Sequence, residues 1–174
     1  KKSAHRMALY LHDKNKQGAK IMASTLLEAV EDISRCKRCR MLTSNDFCRV
    51  CSDLSRDDKS ICIVESPSDV LAIESTGGYK GKYFVLLGRL SPIEGVGPED
   101  LGIDELLELI ESEGIEELIL ATSSTVEGDA TGMYIKDHIP DIKVSRISYG
   151  IPIGGELEYV DSNTIAQAIQ GRTE

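Results

Sequence analysis

The stretch CKRCRMLTSNDFCRVC, residues 36–51, holds four of the five cysteines in the chain, as two C-x-x-C pairs separated by eight residues. Each pair can offer two thiolates from one tight turn, and two such turns complete a tetrahedral four-sulfur shell. The spacing therefore fits a zinc knuckle or ribbon, and structural zinc is the reading it favours. Iron–sulfur ligation and a redox dithiol are the alternatives, while disulfides do not persist in the reducing cytoplasm. Four sulfur ligands leave no open position, so the centre would staple the chain rather than catalyse. Arg35, Lys37, Arg38, Arg40 and Arg49 crowd the same stretch. They would offset the −2 charge of a zinc tetrathiolate and favour thiolate over thiol. The expected metal ligands are Cys36, Cys39, Cys48 and Cys51. Cys62, inside SICIVE, is expected to be a buried strand residue.

Charge divides the chain in two. Residues 1–59 carry 13 Lys and Arg against 8 Asp and Glu, a balance of +5, whereas residues 60–174 carry 7 against 21, a balance of −14. A basic front could meet phosphates, and an acidic back would suit a basic protein or divalent cations. At 41% hydrophobic and 28% charged the composition is that of a globular protein with a core. No apolar run approaches the ~20 residues of a membrane helix. No apolar stretch follows the basic start as in a secretory signal, which favours a cytoplasmic setting.

Periodicity then orders the chain. Ala4, Met7, Ala8 and Leu11 form a helical stripe over residues 3–12. DKNKQG (13–18) is a break, and residues 19–34 place Met22, Leu26, Val30 and Ile33 on one face of a second helix. The opening KKSAHRMALYL reads as the inside of a helix, so the natural N-terminus is expected to lie upstream. From Ser60 onward short apolar strands alternate with helices. SICIVE, KYFVLL (82–87), ELILAT (117–122) and KVSRIS (143–148) read as strands. Ser66 and Pro67 signal a helix start, DELLELIESEG (104–114) is an amphipathic helix ended by Gly114, and TVEGDATGMYIKDHI begins as a loop and turns helical. GRLSPIEGVGPEDLG (88–102) is a loop long enough to suspect function. Alternation of this kind implies a parallel sheet covered on both faces, with its site beyond the carboxyl ends of the strands. Glu65 would end the first strand, and Glu127 and Asp129 would follow the third, so these acids should meet at one edge. They would bind a basic partner or hold Mg²⁺ weakly, or else be solvated loop acids. His5, His12 and His138 are expected on the surface.

A strand ending in Glu, with a later strand and an acidic turn, resembles the Toprim domain of topoisomerases, primases and some nucleases. With the cysteines in front, the whole chain resembles the RecR family of bacterial recombination mediators. The resemblance is carried by KKSAHRMALYL, the four cysteines, CIVESPSDVLAIE, LGRLSPIEGVGPEDLGI, TVEGDAT and GIPIGGELEYVD. It implies an α/β chain of four parts. These are a helix-hairpin-helix remnant (1–35), a four-cysteine zinc finger (36–59), a Toprim domain (60–148) and a C-terminal oligomerisation segment likened to a Walker B motif (149–174). It implies a homo-oligomer, a dimer or tetrameric ring, that clamps single- and double-stranded DNA without sequence preference. It implies work with RecO and RecF to load RecA onto strands coated by single-strand binding protein, and it assigns DNA contacts to Lys2 and Arg6. This copy departs from the family pattern in several places. The Gly-rich hairpin turn expected before Lys1 is absent, Ser123-Ser124 replaces Asn-Pro, Asp129 stands where Glu is common, and Tyr149 where His is usual. No Walker A motif occurs, so no ATPase is assigned. A Toprim nuclease or nicking enzyme is the alternative. Catalysis would need a positioned nucleophile and cation, no motif supplies them, and the expectation is a clamp and adaptor that is not an enzyme.

Overall fold

The computed structural model describes residues 2–139, 142–148 and 150–171. It divides into two compact units, Lys1–Ser52 and Asp53–Glu174.

The first unit opens with two helices, α1 (Lys2–Lys14) and α2 (Lys16–Asp32). The expected six-residue break is a single residue, Asn15, because its side-chain oxygen accepts the Gly18 amide at 2.8 Å and starts α2 three residues earlier than the apolar stripe suggests. A Cβ on Gly18 would lie 2.4 Å from that Asn15 side chain, so a larger residue there would make the capping side chain shift. Neither helix buries a single residue within the unit. A two-residue antiparallel ribbon, β1 (Ser34–Arg35) with β2 (Leu42–Thr43), and the short α3 (Arg49–Ser52) then frame the cysteines.

The second unit is built on β3 (Ser60–Val64), β4 (Lys82–Val85), β5 (Glu117–Ala121) and β6 (Lys143–Arg146). All pairings are parallel, in the order β4-β3-β5-β6, with Ile63 opposite Phe84 on one side and Leu120 on the other. The connecting helices are α4 (Pro67–Thr76), α5 (Ile103–Glu113) and α6 (Val126–His138). After them come a 3₁₀ turn (Leu157–Tyr159) and α7 (Ser162–Gln170). Every residue of β3 and β4 is buried, so both faces are covered at that side of the sheet, and coverage falls away towards β6. One face packs Ile61, Ile63, Phe84, Leu118 and Leu120 against Ile103, Leu106 and Ile110 of α5 and Ile135 of α6. The alternate residues of β3, Cys62 and Val64, are buried on the other face. Burial pushes the Cys62 thiol up to about 12, which fits an inert core residue.

Local chemistry sets the ends of these helices. Asp69 accepts the Ser66 amide at 2.8 Å and Pro67 follows at the first helical position, which starts α4. Gly114, at φ 61°, closes α5 in the left-handed conformation. TVEGDAT is helical almost from its start, since Thr125 caps α6 by accepting the Gly128 amide at 3.1 Å. Glu127 and Asp129 therefore sit in the first turn of a helix and not in a loop. Among the described residues no helix is long and apolar enough to cross a membrane.

Candidate functional site

The chain presents two polar centres and one basic helix face. The first centre is the cysteine knuckle. Cys36 donates its amide to the Met41 carbonyl at 2.7 Å and accepts the Arg40 amide on its own carbonyl at 3.0 Å, which folds the first C-x-x-C into a closed turn. Arg40 completes that turn at φ 64°, a left-handed conformation. Its carbonyl accepts from Arg35 Nη1 at 3.3 Å. The second pair is supplied by the entry to α3, and the Cys48 amide donates to Cys36 Sγ at 3.3 Å. Lys37 pairs with Asp46 across the turn at 2.8 Å. All four thiols are buried, with Met41 and Val50 packed against them.

The four sulfurs lie within 4.8 Å of one another. Sulfurs bound to one zinc at about 2.3 Å stand roughly 3.8 Å apart, so this cluster fits such an ion with little movement. Its electrostatics ask for one too. The hydrogen bond with Cys48 drives the Cys39 thiol well above its ordinary value, and the same bond pulls Cys48 down to about 2. Four thiolates gathered this closely repel one another, and a cation among them offsets that charge. Arg38 Nη1, 4.0 Å from Cys51 Sγ, supplies part of that compensation. Among the described residues these four cysteines are the one gathering of His, Cys, Asp or Glu ligand atoms suited to a metal ion.

The second centre lies at the carboxyl ends of the parallel strands. Glu65 follows β3 directly, and its Oε1 accepts the Ser123 amide at 2.7 Å. Its Oε2 lies 3.6 Å from Arg89 Nη1, beyond β4. Asp129 Oδ1 lies 2.7 Å from Nη2 of Arg146, the last residue of β6. That same nitrogen donates to the Ser123 carbonyl at 3.0 Å. Ser123 thus holds Glu65 directly and Asp129 by way of Arg146. Its neighbour Thr122, 3% exposed, donates to the Gly128 carbonyl at 2.9 Å. A Cβ at Gly128 would come 2.2 Å from the Ser123 carbonyl, so the loop and the first turn of α6 lock together only over glycine. Glu127 is half-buried on that turn. Arg89, Arg146 and the Ser123 backbone escaped the reading of the sequence. The rule that gathered the acids at the strand ends would have found both arginines, since they follow β4 and end β6.

Lys2 and Arg6 are exposed on α1. They stand four residues apart and so share one helix face. His5, His12 and His138 are exposed, and His138 stacks on Tyr134 at 4.0 Å. Tyr149 lies outside the described residues.

Comparison with known proteins bears on the second unit and on the chain as a whole. A family model described as the Toprim domain matches residues 59–148, and one described as the RecR C-terminal region matches residues 150–173. The Recombination protein RecR of Saccharophagus degradans is 51% identical over 175 aligned positions, which cover 99% of this chain and 89% of that protein. The protein of the same name from Francisella tularensis subsp. novicida is 50% identical, covering 99% of this chain and 87% of its own. Identity at that level across a chain that also carries the four gathered thiols and the parallel Toprim sheet makes the protein a member of the RecR family.

Proposed function

We propose that this chain is a recombination mediator in DNA repair, a DNA clamp and protein adaptor that is not itself an enzyme. The observation that carries the reading is half-identity, over 99% of this chain, to proteins named for recombination. In this reading Cys36, Cys39, Cys48 and Cys51 hold a structural zinc, which would fix the knuckle and take no part in chemistry. Lys2 and Arg6 neutralise phosphates of single- or double-stranded DNA without reading sequence. Met7, Ile21, Leu26, Leu27 and Val30, exposed on α1 and α2, support a homo-oligomer in which a second copy covers them. A dimer or a ring would serve a clamp. The acidic edge would meet a basic protein through Glu65, Glu127 and Asp129, and RecO is the expected partner. RecF, and the loading of RecA in a cytoplasmic setting, complete the proposed pathway.

The test is DNA affinity as a function of salt. The parent should lose affinity steeply as salt rises. Lys2→Ala/Arg6→Ala should bind more weakly on every sequence and flatten the logarithmic salt slope by about 0.9 for each duplex phosphate no longer neutralised. An unchanged slope would remove DNA binding from this helix face.

A further inference from the structure

Two acids and two arginines meet at the carboxyl edge of the sheet in a regular order. The acids belong to the inner strands, Glu65 after β3 and Asp129 on the helix that follows β5. The arginines belong to the outer strands, Arg89 after β4 and Arg146 at the end of β6. Each acid faces one arginine, Glu65 with Arg89 at 3.6 Å and Asp129 with Arg146 at 2.7 Å. Arg146 is seated as well as paired, because Nη2 also donates to the Ser123 carbonyl at 3.0 Å and lies 3.3 Å from Thr122 Oγ1. Glu65 is seated likewise by the Ser123 amide, and its side chain is 16% exposed.

Carboxylates at such an edge need countercharge. A divalent cation would supply it by taking several oxygen ligands with free lone pairs. A guanidinium supplies it as a permanent charge, within hydrogen-bond distance at Asp129 and by charge alone at Glu65, where Arg89 stands 3.6 Å away. We propose that Arg89 and Arg146 are the resident counter-cations of this edge and set its selectivity. With both in place the edge turns away Mg²⁺ and Mn²⁺. Without them Glu65 and Asp129 become a divalent-cation site. This inference stands apart from the clamp reading, since it concerns ion binding alone.

The experiment is titration of Mn²⁺ into the full, zinc-loaded chain, followed by the electron paramagnetic resonance of the free ion. The parent should leave Mn²⁺ free up to about 1 mM, the weak end of protein cation sites. Arg89→Gln/Arg146→Gln should bind it at least about tenfold more tightly, as two removed charges require. Adding Glu65→Gln and Asp129→Asn should abolish the gain. If the double variant melts early, Arg89→Gln alone, on a side chain 43% exposed, should give a smaller gain that Glu65→Gln removes. Binding as tight in the parent as in the arginine variants overturns the proposal, as does a gain that survives loss of both carboxylates. Neither outcome bears on DNA affinity.

Discussion

In the unit that begins the chain, neither α1 nor α2 buries a residue, and the well-buried side chains are the four cysteines. In the unit that follows, β3 and β4 are buried at every position and twelve apolar side chains form one cluster. A segment of about 50 residues has too little interior to hold itself by burial, and four gathered thiols that could hold a metal ion stand where a core would be. The later unit is long enough to bury a sheet between helices, so its polar centre need not hold the fold together. Order is thus local and chemical in the first unit, and distributed and hydrophobic in the second.

The contrast breaks most sharply at the knuckle. Cys36→Ser, or chelation of the bound ion, should abolish stoichiometric metal binding and unfold residues 36–52. Structural zinc contributes on the order of 10 kcal/mol to such folds. Hydrogen exchange should show protection lost there and kept in β3 to β5. Parallel loss in the sheet would mean that the two units fold as one.

The reverse experiment is smaller. Leu106, fully buried on α5, should cost about 3 kcal/mol as Leu106→Ala, read by denaturant unfolding of the later unit. Metal content should stay at one ion per chain.

A finer effect lies on the opposite face of the sheet. Tyr83, 1% exposed, donates to Glu74 at 2.7 Å, and Glu74 also pairs with Arg56. Burial first, and then the bond to Glu74, raise the Tyr83 hydroxyl above its ordinary value. The folded state therefore holds this proton more tightly than the unfolded chain. Its contribution is complete below about pH 10, the unfolded value, and is lost as pH climbs towards the folded one. Tyr83→Phe should cost about 1 kcal/mol at neutral pH and flatten part of the alkaline decline. Tyr79, also raised by burial, accounts for a remaining slope. Melting temperature against pH, from pH 7 to about 11, checks both.

Much of this is legible in the sequence alone. The cysteine spacing needs only its own stretch of chain to be understood. The strands announce themselves because Ile61 to Val64 and Tyr83 to Leu86 are unbroken apolar runs, the mark of burial on both sides. What stays hidden is whatever depends on a distant partner. Gly128 and Gly132 disguise the start of α6 as a loop, and the reason for Gly128 is the Ser123 carbonyl across the turn. Arg89 and Arg146 look like ordinary surface cations, because their acids arrive from other strands. Asn15 gives a break far shorter than the polar run around it, since one capping side chain suffices to restart a helix.

The strand order also fixes a sequence of events during synthesis. The knuckle closes on residues within one short stretch, so it can form as soon as Cys51 has left the ribosome. β3 waits. One of its edges is met by β4, but the other pairs with Glu117–Ala121, more than fifty residues later. Until those residues emerge, SICIV presents an open, apolar edge to any neighbouring chain. That open interval on β3 ends when β5 is delivered.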